Sequence, residues 1–346
     1  MKVALLTKKK KFEIDDQKII KKLKNDEVLV KITGTGICGS DLHFFRNGAL
    51  GTSNTNFPLS LGHETAGLII DKNKSKFKNY TNVVIDPLDV SKCTSNYHSL
   101  ICNCNLKKNL CKKQTYLGSF PTPGSFREYM VLKINQITKV NKKINPKIAS
   151  MIEPAGIAQY SIDRAQINKE KDNNFLVLGA GAIGLLICSL LKSIGFKNIT
   201  LIDKNIDRLN LGKKFFGANK IINTDVNSKK LKILNEYNFI FDLITTNGSF
   251  DYGVKSASRG AKYIIVGIPE EYDFLTFNPH KSRIKEIDFL NVRRSNVSFE
   301  KMQNIIIKKN IPINKLVTHS FKLEDIQKGF NIASEYQDSI IRGVVY

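Results

Sequence analysis

The sequence predicts an α/β protein in which a β-rich domain is combined with a doubly wound parallel sheet. The chain has 346 residues, more than one hydrophobic core usually organises, so we expect two domains. The first part contains short apolar runs broken by Gly, Pro and Asn, which is typical of β-rich domains. From about Asn173, strands alternate with helical patterns, which indicates a parallel sheet covered on both faces.

We predict three segments along the chain. Residues 1–155 form the β-rich domain and residues 156–291 form the parallel-sheet domain. Residues 292–346 are too few for a domain of their own, so they return to the first. In the first segment the expected strands are Val28–Thr33, Ala66–Ile70, Asn82–Ile85 and Phe126–Leu132. In the second the expected strands are Phe175–Leu178, Ile199–Ile202, Phe239–Ile244 and Tyr263–Val266, and the expected helices are Ala182–Ile194 and Arg208–Phe216. In the third the expected helices are Phe299–Lys309 and Leu323–Ser334, and the expected strands are Val317–Phe321 and Gly343–Tyr346.

The composition indicates a folded, soluble protein with a basic surface. Hydrophobic residues make up 42% and charged residues 25%, which is ordinary, but the net charge is +23. Only nine of the 54 basic residues are arginine, and the lysines are scattered, so we expect no nucleic-acid partner; the charge favours an anionic substrate. No apolar run approaches the roughly 18 residues of a membrane helix, and no export signal opens the chain, so we expect a cytoplasmic protein without a membrane partner.

A glycine motif predicts a dinucleotide site. In FLVLGAGAIGLL, Gly179, Gly181 and Gly184 follow an apolar strand and open a helical pattern. The first glycine permits a tight turn, the second lets the backbone approach a pyrophosphate, and the third lets helix and strand pack closely. The anion would lie at the helix N-terminus, where Ala182 and Ile183 are further predicted contacts.

Asp203 predicts that the dinucleotide is NAD. It closes the second strand of this domain, nineteen residues after Gly184, where a carboxylate can accept hydrogen bonds from ribose hydroxyls. A 2′-phosphate would meet like charge there, so NAD is favoured over NADP. The alternative is that Asp203 caps the following helix. Lys204 and Arg208 are close enough in sequence to soften the repulsion, and we include Arg208 among the predicted cofactor contacts.

Four residues in three separate motifs are candidate zinc ligands. Cys38 lies in GICGSDLH, His63 and Glu64 lie in LGHE, and Glu153 lies in EPAGIA. Thiolate, imidazole and carboxylate all bind zinc, and a catalytic zinc keeps one position open. Taken singly, each residue has an ordinary structural explanation, such as a buried cysteine or a core histidine. Their joint occurrence in glycine-rich turns ahead of a dinucleotide motif favours a metal site, with the choice between the two glutamates open.

Cys93, Cys102, Cys104 and Cys111 form a second cluster within nineteen residues. In a chain without an export signal, such a cluster favours metal binding or free thiols over disulfides. Four thiolates can close a structural zinc site, and His98 can replace one of them. The one-residue spacing between Cys102 and Cys104 is awkward for the usual CxxC knuckle, so a reduced, metal-free loop is the alternative.

Five segments, in order, resemble the zinc-dependent medium-chain dehydrogenases. They are GTGICGSDLH, PLSLGHETAG, GSFREYMVL, EPAG and GAGAIG, and the resemblance runs over nearly the whole chain. It implies a GroES-like catalytic domain and a Rossmann domain for NAD. The resemblance is greatest to the polyol branch, which includes sorbitol dehydrogenase and L-idonate 5-dehydrogenase. Glu153 stands where ethanol-type enzymes carry a third cysteine ligand, and HFFRNGALG and KEIDFLNVRRSN also match this branch.

The resemblance assigns roles to the metal-site residues. Cys38 and His63 would bind zinc with Glu64 as the third ligand. Glu153 would be either a ligand or the partner of a water on the zinc, since family members differ here. Asp41 would orient His63 and fix its tautomer.

The resemblance also implies how substrate and proton are handled. Ser40 and His43 would pass the substrate's hydroxyl proton to solvent, and Arg294 would contact substrate hydroxyls or an anionic group. The family usually has tyrosine after this arginine, whereas this chain has Ser295, which leaves the substrate open.

Together these observations predict a zinc-containing enzyme that transfers a hydride between a secondary hydroxyl and NAD. The expected substrate is a polyol, a sugar acid or a sugar phosphate, and the expected assembly is a homodimer or homotetramer. One alternative is a zinc alcohol or threonine-type dehydrogenase with another substrate. An alternative of a different class is a catalytically inactive, polyanion-binding protein on the same fold.

Overall fold

The computed structural model describes residues 1–19, 22–50, 53–54, 56–93, 107–170, 173–227, 236–269, 275–276 and 278–346. These residues form two compact units, each with its own sheet. Unit 1 comprises Met1–Glu153, Ser298–Ile307 and Leu316–Tyr346, and unit 2 comprises Pro154–Val297 and Lys308–Lys315. Throughout these described ranges, no helix is long and apolar enough to cross a membrane.

Unit 1 is rich in short strands. The strands are β1 (Lys2–Lys8), β2 (Lys11–Asp16), β3 (Glu27–Gly36), β4 (Ala49–Leu50), β5 (Ser53–Asn54), β6 (Glu64–Asp71), β7 (Asn82–Ile85), β8 (Leu88–Asp89), β9 (Thr115–Tyr116), β10 (Tyr129–Lys133), β11 (Ile137–Lys139), β18 (Val317–Phe321) and β19 (Arg342–Val345). The main sheet has the order β11-β7-β6-β3-β19-β18, and β10 also pairs with β3. The C-terminal strand β19 therefore lies beside β3, which comes from the start of the chain.

Apolar side chains of unit 1 form two core clusters. One cluster contains Val28, Val30 and Ile32 of β3, which alternate with the less buried Leu29 and Lys31 at the strand period of two. A second cluster centres on Phe330, whose ring centroid lies 4.6 Å from that of Phe12. The helices of unit 1 are α1 (Gly39–Asn47), the first residues of α2 (Ile152–Ala165), most of α8 (Phe299–Lys309) and α9 (Ile326–Ser334).

Unit 2 is a doubly wound parallel sheet. Its strands are β12 (Asn174–Leu178), β13 (Asn198–Asp203), β14 (Lys220–Asn223), β15 (Tyr237–Asp242), β16 (Ala257–Ile265) and β17 (Asp288–Asn291). Its remaining helices are α3 (Ala182–Ser193), α4 (Ile206–Leu211), α5 (Thr224–Asn227), α6 (Asn247–Ser256) and α7 (Pro279–Lys285). The order β14-β13-β12-β15-β16-β17 is the 3-2-1-4-5-6 order of Rossmann sheets, and every pairing is parallel. The predicted fold class is confirmed.

Some elements differ from the sequence prediction. The helix expected over Arg208–Phe216 begins at Ile206 and changes to π-helical geometry over Gly212–Phe216. A Cβ at Gly212 would lie 2.4 Å from the Leu201 side chain, so this segment packs tightly against β13. Helix α2 was not predicted, although Pro154 is compatible with a first helical turn, where the missing N–H has no intrahelical partner.

Candidate metal and dinucleotide sites

Cys38 lies at the start of helix α1, and Asp41 fixes its position. The Asp41 carboxylate accepts the backbone N–H of Cys38 at 3.0 Å through Oδ2 and that of Gly62 at 3.1 Å through Oδ1. Asp41 is 1% exposed, and Oδ1 lies 3.5 Å from His63 Nδ1. One carboxylate thus joins the turn that carries Cys38 to the turn that carries His63, and it stabilises one orientation of the imidazole.

Two glycines make room for the turn that carries His63 and Glu64. Gly62 has a φ of 97°, and a Cβ there would approach side chains of Phe126 and Thr35 to 2.9 Å. Gly36 of β3 pairs with Glu64 of β6, and a Cβ at Gly36 would lie 2.3 Å from Glu64 Oε2. Glycine at position 36 therefore allows the Glu64 carboxylate to lie over β3.

Cys38, His63 and Glu64 come together as a potential metal-binding group. Their ligand atoms all lie within 4.8 Å of one another. Among the described residues this is the one group of three or more His, Cys, Asp or Glu with such spacing. One thiol, one imidazole and one carboxylate suit zinc and leave a fourth position open.

Arg342 is a site residue that the sequence analysis missed. Its Nη2 lies 3.1 Å from Glu64 Oε1, and its Nη1 donates to the carbonyl oxygen of Ile37 at 2.7 Å. Arg342 is 6% exposed and Glu64 is fully buried. The pairing of β19 with β3 brings them together. The available sequence signal was an arginine opening an otherwise apolar strand.

Glu153, the second residue of α2, lies beside this group but outside the 4.8 Å set. Its Oε1 accepts a hydrogen bond from the Tyr116 hydroxyl at 3.2 Å, and its buried Oε2 has no hydrogen-bond partner among the described residues. Tyr116 was also missed, because no motif in the sequence marks it.

Burial is the first influence on the pKa values of this site. It raises the pKa of Glu153, and with the smaller raising effect of Glu64 and the lowering effect of His63 the pKa lies at about 7. Burial lowers the pKa of His63, but Asp41 and Cys38 outweigh it, so this pKa lies well above its ordinary value. The Oε2 atoms of Glu64 and Glu153 are buried and have no hydrogen-bond partner in the parts of the chain that the structure describes. These oxygens and the chemistry of the other donors fit a divalent cation, which would itself change these pKa values.

The predicted proton-relay residues lie on helix α1. Ser40 Oγ is 3.5 Å from His63 Nε2, and His43 is half-buried on the same helix. Arg294 belongs to unit 2 and has a left-handed φ of 56°. Next to it, Ser295 Oγ accepts the backbone N–H of Val297 at 3.0 Å, and a Cβ at Gly156 would lie 3.1 Å from this oxygen.

The second cysteine cluster is only partly described. Cys111 is buried and packs with Cys93 and Val90. Cys102, Cys104 and the alternative ligand His98 lie outside the described residues. A structural zinc here stays a prediction.

In unit 2 the glycine motif forms the turn between β12 and α3. Gly179 has a φ of 105°, which favours glycine. A Cβ at Gly184 would lie 2.0 Å from the carbonyl oxygen of Gly179, whereas a Cβ at Gly181 would meet no atom within 4 Å among the residues that the structure describes. Gly184 therefore serves helix packing, and Gly181 leaves space at the start of α3, as a bound pyrophosphate requires.

Asp203 lies at the end of β13, beside this turn. Its Oδ2 accepts the backbone N–H of Ala180 at 2.7 Å, and its Oδ1 accepts that of Asn205 at 2.8 Å. Asn205, rather than Asp203, caps helix α4 by accepting the N–H groups of Asp207 and Arg208. Arg208 is 9% exposed within that helix. Thus Asp203 is fixed next to the glycine turn by the backbone.

Asp242 is a further residue that the sequence analysis did not single out. It ends β15, is fully buried, and accepts the Tyr263 hydroxyl at 2.8 Å. Its Oδ1 also accepts the backbone N–H groups of Ile244 and Thr245. The sequence signal that could have identified Asp242 is an acidic residue at the end of a largely apolar strand. Asp242 fixes the loop after the strand next to β12.

Two family models and several known proteins match this chain. Residues 24–142 match the alcohol dehydrogenase GroES-like domain, and residues 182–308 match the zinc-binding dehydrogenase domain. Sorbitol dehydrogenase of Bacillus subtilis is 25% identical over 354 residues, covering 100% of this chain and 97% of the relative. L-threonine 3-dehydrogenase of Coxiella burnetii is 26% identical over 317 residues, covering 89% and 88%. An Escherichia coli structure described as a short chain alcohol dehydrogenase complexed with NADH has a TM-score of 0.84 and 25% identity, covering 100% and 98%.

These matches agree with the site geometry. The two family models together span more than two thirds of the chain. They include Cys38, His63 and Glu64, and they include helix α3, which follows the glycine turn. The predicted resemblance to the polyol branch is confirmed by the full-length match to sorbitol dehydrogenase. The chain belongs to the zinc-dependent medium-chain dehydrogenase family of oxidoreductases.

Proposed function

We propose that this protein is an NAD-dependent zinc dehydrogenase that oxidises a secondary hydroxyl of a polyol, sugar acid or sugar phosphate to a ketone, or catalyses the reverse reduction. The observation that carries this proposal is the group of Cys38, His63 and Glu64 within 4.8 Å, beside a buried Glu153. Zinc at such a site acts as a Lewis acid that polarises the substrate oxygen and eases its deprotonation.

The proposed ligands are Cys38, His63 and Glu64, and Glu153 stays next to the substrate position. Arg342 donates to the Ile37 carbonyl through one nitrogen and forms an ion pair with Oε1 of Glu64 through another, which leaves Oε2 for the metal. Asp41 holds His63 and the Cys38 turn. In this arrangement the protein supplies orientation and a nearly water-free environment, in which electrostatic interactions are stronger than in water.

Proton and hydride transfer need further groups. Ser40, close to His63, and His43 on the same helix are the proposed path for the hydroxyl proton to solvent. Arg294 is the proposed contact for substrate hydroxyls or an anionic group. The protein's contribution to hydride transfer is to position the nicotinamide cofactor against the substrate carbon.

NAD, rather than NADP, is the proposed cofactor. Asp203 is held beside the glycine turn by two backbone N–H groups, and a 2′-phosphate would meet its charge. The Escherichia coli relative solved with NADH agrees with this choice. We further propose that residues 1–155 with 292–346 make up the catalytic domain and residues 156–291 the NAD domain. The compact unit around the parallel sheet comprises Pro154–Val297 and Lys308–Lys315, so the two divisions differ at residues 154–155, 292–297 and 308–315.

A threonine-type dehydrogenase is the second candidate. The Coxiella relative is as similar as sorbitol dehydrogenase, so similarity alone does not separate an amino-acid hydroxyl from a polyol hydroxyl. Ser295, in the place where the family usually has tyrosine, is the departure closest to the proposed substrate contact Arg294.

One experiment tests these proposals together. Metal content is measured on the purified protein, and NADH formation is followed with polyols, sugar acids, sugar phosphates, L-threonine and primary alcohols. We expect zinc in the protein and turnover with a polyol, sugar acid or sugar phosphate. Turnover of L-threonine alone selects the second candidate, and turnover of primary alcohols alone contradicts the polyol assignment.

Salt-sensitive binding to heparin or DNA without metal would instead support the inactive polyanion-binding protein. A metal content of two zinc ions per chain would add the structural site of the cysteine cluster.

A further inference from the structure

Glu64, in the metal-ligand group of Cys38, His63 and Glu64, and Glu153, beside that group, have different partners. Arg342 pairs with Glu64 at 3.1 Å, so the charge of this buried carboxylate is balanced within the protein. Glu153 is 3% exposed, and no ion pair involves it among the described residues. Its one hydrogen bond there comes from a neutral donor, the Tyr116 hydroxyl. A cation therefore holds the carboxylate of Glu64, whereas a neutral hydroxyl holds the carboxylate of Glu153.

Tyr116 lies between His63 and Glu153. It ends strand β9, which pairs with β8, and the next residue, Leu117, donates its backbone N–H to the Pro87 carbonyl at 3.0 Å. The Tyr116 ring centroid lies 5.5 Å from that of His63. Because the backbone on both sides is tied, the hydroxyl has a fixed place from which to hold one oxygen of Glu153.

The other oxygen of Glu153 is buried and without a hydrogen-bond partner in the described parts of the chain. A buried carboxylate oxygen needs a donor or a cation. Glu153 is close enough to His63 and Glu64 for their charges to act on it, yet it stays outside the 4.8 Å set. Its Oε2 is therefore available to a group that enters the site.

We propose that Tyr116 is a positioning residue that holds Glu153 by Oε1 and so keeps this carboxylate out of the metal's ligand set. The fourth position of the metal then remains open for the substrate oxygen. Glu153 Oε2 remains free to accept a hydrogen bond from the substrate's hydroxyl. This inference rests on the proposed metal function. It also gives the two glutamates separate tasks: Glu64 binds the metal, and Glu153 faces the substrate.

The test uses Tyr116→Phe, which removes only the hydroxyl. Without it, Glu153 is free to move onto the metal. We expect zinc to be lost to a chelator about tenfold more slowly, because a fourth protein ligand is gained for one lost hydrogen bond. In protein loaded with Co²⁺, the visible absorption spectrum should shift as a carboxylate enters the coordination shell. The KM for NAD should stay unchanged while kcat falls.

Two controls separate positioning from a structural effect. Tyr80→Phe removes a hydroxyl from a tyrosine that is 72% exposed and should change neither readout. In a Glu153→Gln background, Tyr116→Phe should lose its effect on the cobalt spectrum and on zinc retention, because the competing carboxylate is gone. Circular dichroism checks that each variant is folded.

The outcomes distinguish this inference from the proposed function. If the native protein binds neither zinc nor cobalt, the proposed function fails and the inference fails with it. If the native protein binds metal but Tyr116→Phe leaves the cobalt spectrum unchanged or speeds zinc loss, the inference alone is overturned.

Discussion

The metal-ligand group of unit 1 and the glycine turn of unit 2 are built in opposite ways. Side chains make up the metal-ligand group and its surroundings, and they lie in or next to α1, β6, α2 and β19, which are far apart in sequence. The glycine turn is one short segment between β12 and α3, and it acts mainly through its backbone. A local backbone motif depends on a few steric requirements, whereas the metal-ligand group depends on long-range strand pairing and on buried charges that balance one another.

The difference also concerns tolerance to change. Two buried glutamates, an aspartate and an arginine lie in or beside the metal-ligand group, so removing one partner leaves an uncompensated charge. In the glycine turn, a Cβ at Gly184 would clash with the backbone, whereas a Cβ at Gly181 would have space among the described residues. We therefore expect large, coupled effects in the first region and small, separable effects in the second.

The largest effect is expected for Cys38→Ser. Loss of the thiolate should remove the catalytic metal and lower kcat/KM by about a thousandfold, since Lewis-acid catalysis contributes several kcal/mol to transition-state stabilisation. Metal content and NADH formation are the measurements. Cys188→Ala is the matched control, because Cys188 is buried in α3 and burial raises its pKa to about 12. If Cys38→Ser keeps its catalytic metal and its activity, the assigned ligand set is wrong.

Arg342→Met should be the next most damaging change. It leaves Glu64 buried without its cation, which typically costs about 3–5 kcal/mol of stability. Urea unfolding of the metal-free protein, followed by circular dichroism, measures this loss. Adding Glu64→Gln should restore most of it, whereas the exposed Arg283→Met should change stability by less than about 0.5 kcal/mol. Equal losses in Arg342→Met with and without Glu64→Gln would contradict charge balance as the cause.

Gly184→Ala and Gly181→Ala should separate packing from binding in unit 2. The first places a methyl group 2.0 Å from the Gly179 carbonyl oxygen, so it should cost about 1–3 kcal/mol in the free energy of unfolding. The second meets no atom of the described residues within 4 Å, so it should keep stability and weaken NADH binding. Fluorescence titration with NADH and thermal unfolding measure the two effects. The same pattern in both variants would refute the division of roles.

The smallest effect is expected for Asp203→Ser. Loss of one charge-assisted hydrogen bond to a ribose hydroxyl should weaken NAD binding by about tenfold, and loss of the charge should improve the relative use of NADP. Initial rates with both cofactors measure the change. Asp207→Asn in the neighbouring helix is the control and should leave the preference unchanged. An unaltered ratio of NAD to NADP use in Asp203→Ser would show that this carboxylate does not select the cofactor.

Long-range contacts explain which site residues were missing from the sequence analysis. Cys38, His63 and Glu64 occur in glycine-rich motifs, so their chemistry was visible from residue type and spacing. Arg342 was not, because it reaches Glu64 only through the pairing of β19 with β3. Tyr116 was missed for a similar reason, since its contact with Glu153 depends on where β9 ends.

The sequence alone determined the fold class, the glycine turn and the kinds of ligand atoms, because strand and helix periodicity, steric demands of glycine and donor chemistry are local properties. It left open whether Glu64 or Glu153 is the third ligand, since both are carboxylates in plausible motifs. Only the tertiary structure separated them. Strand pairing places Arg342 against Glu64, which lies within 4.8 Å of Cys38 and His63, while Tyr116 holds Glu153 apart. Buried charges are distinguished by their neighbours, and those neighbours come from distant parts of the chain.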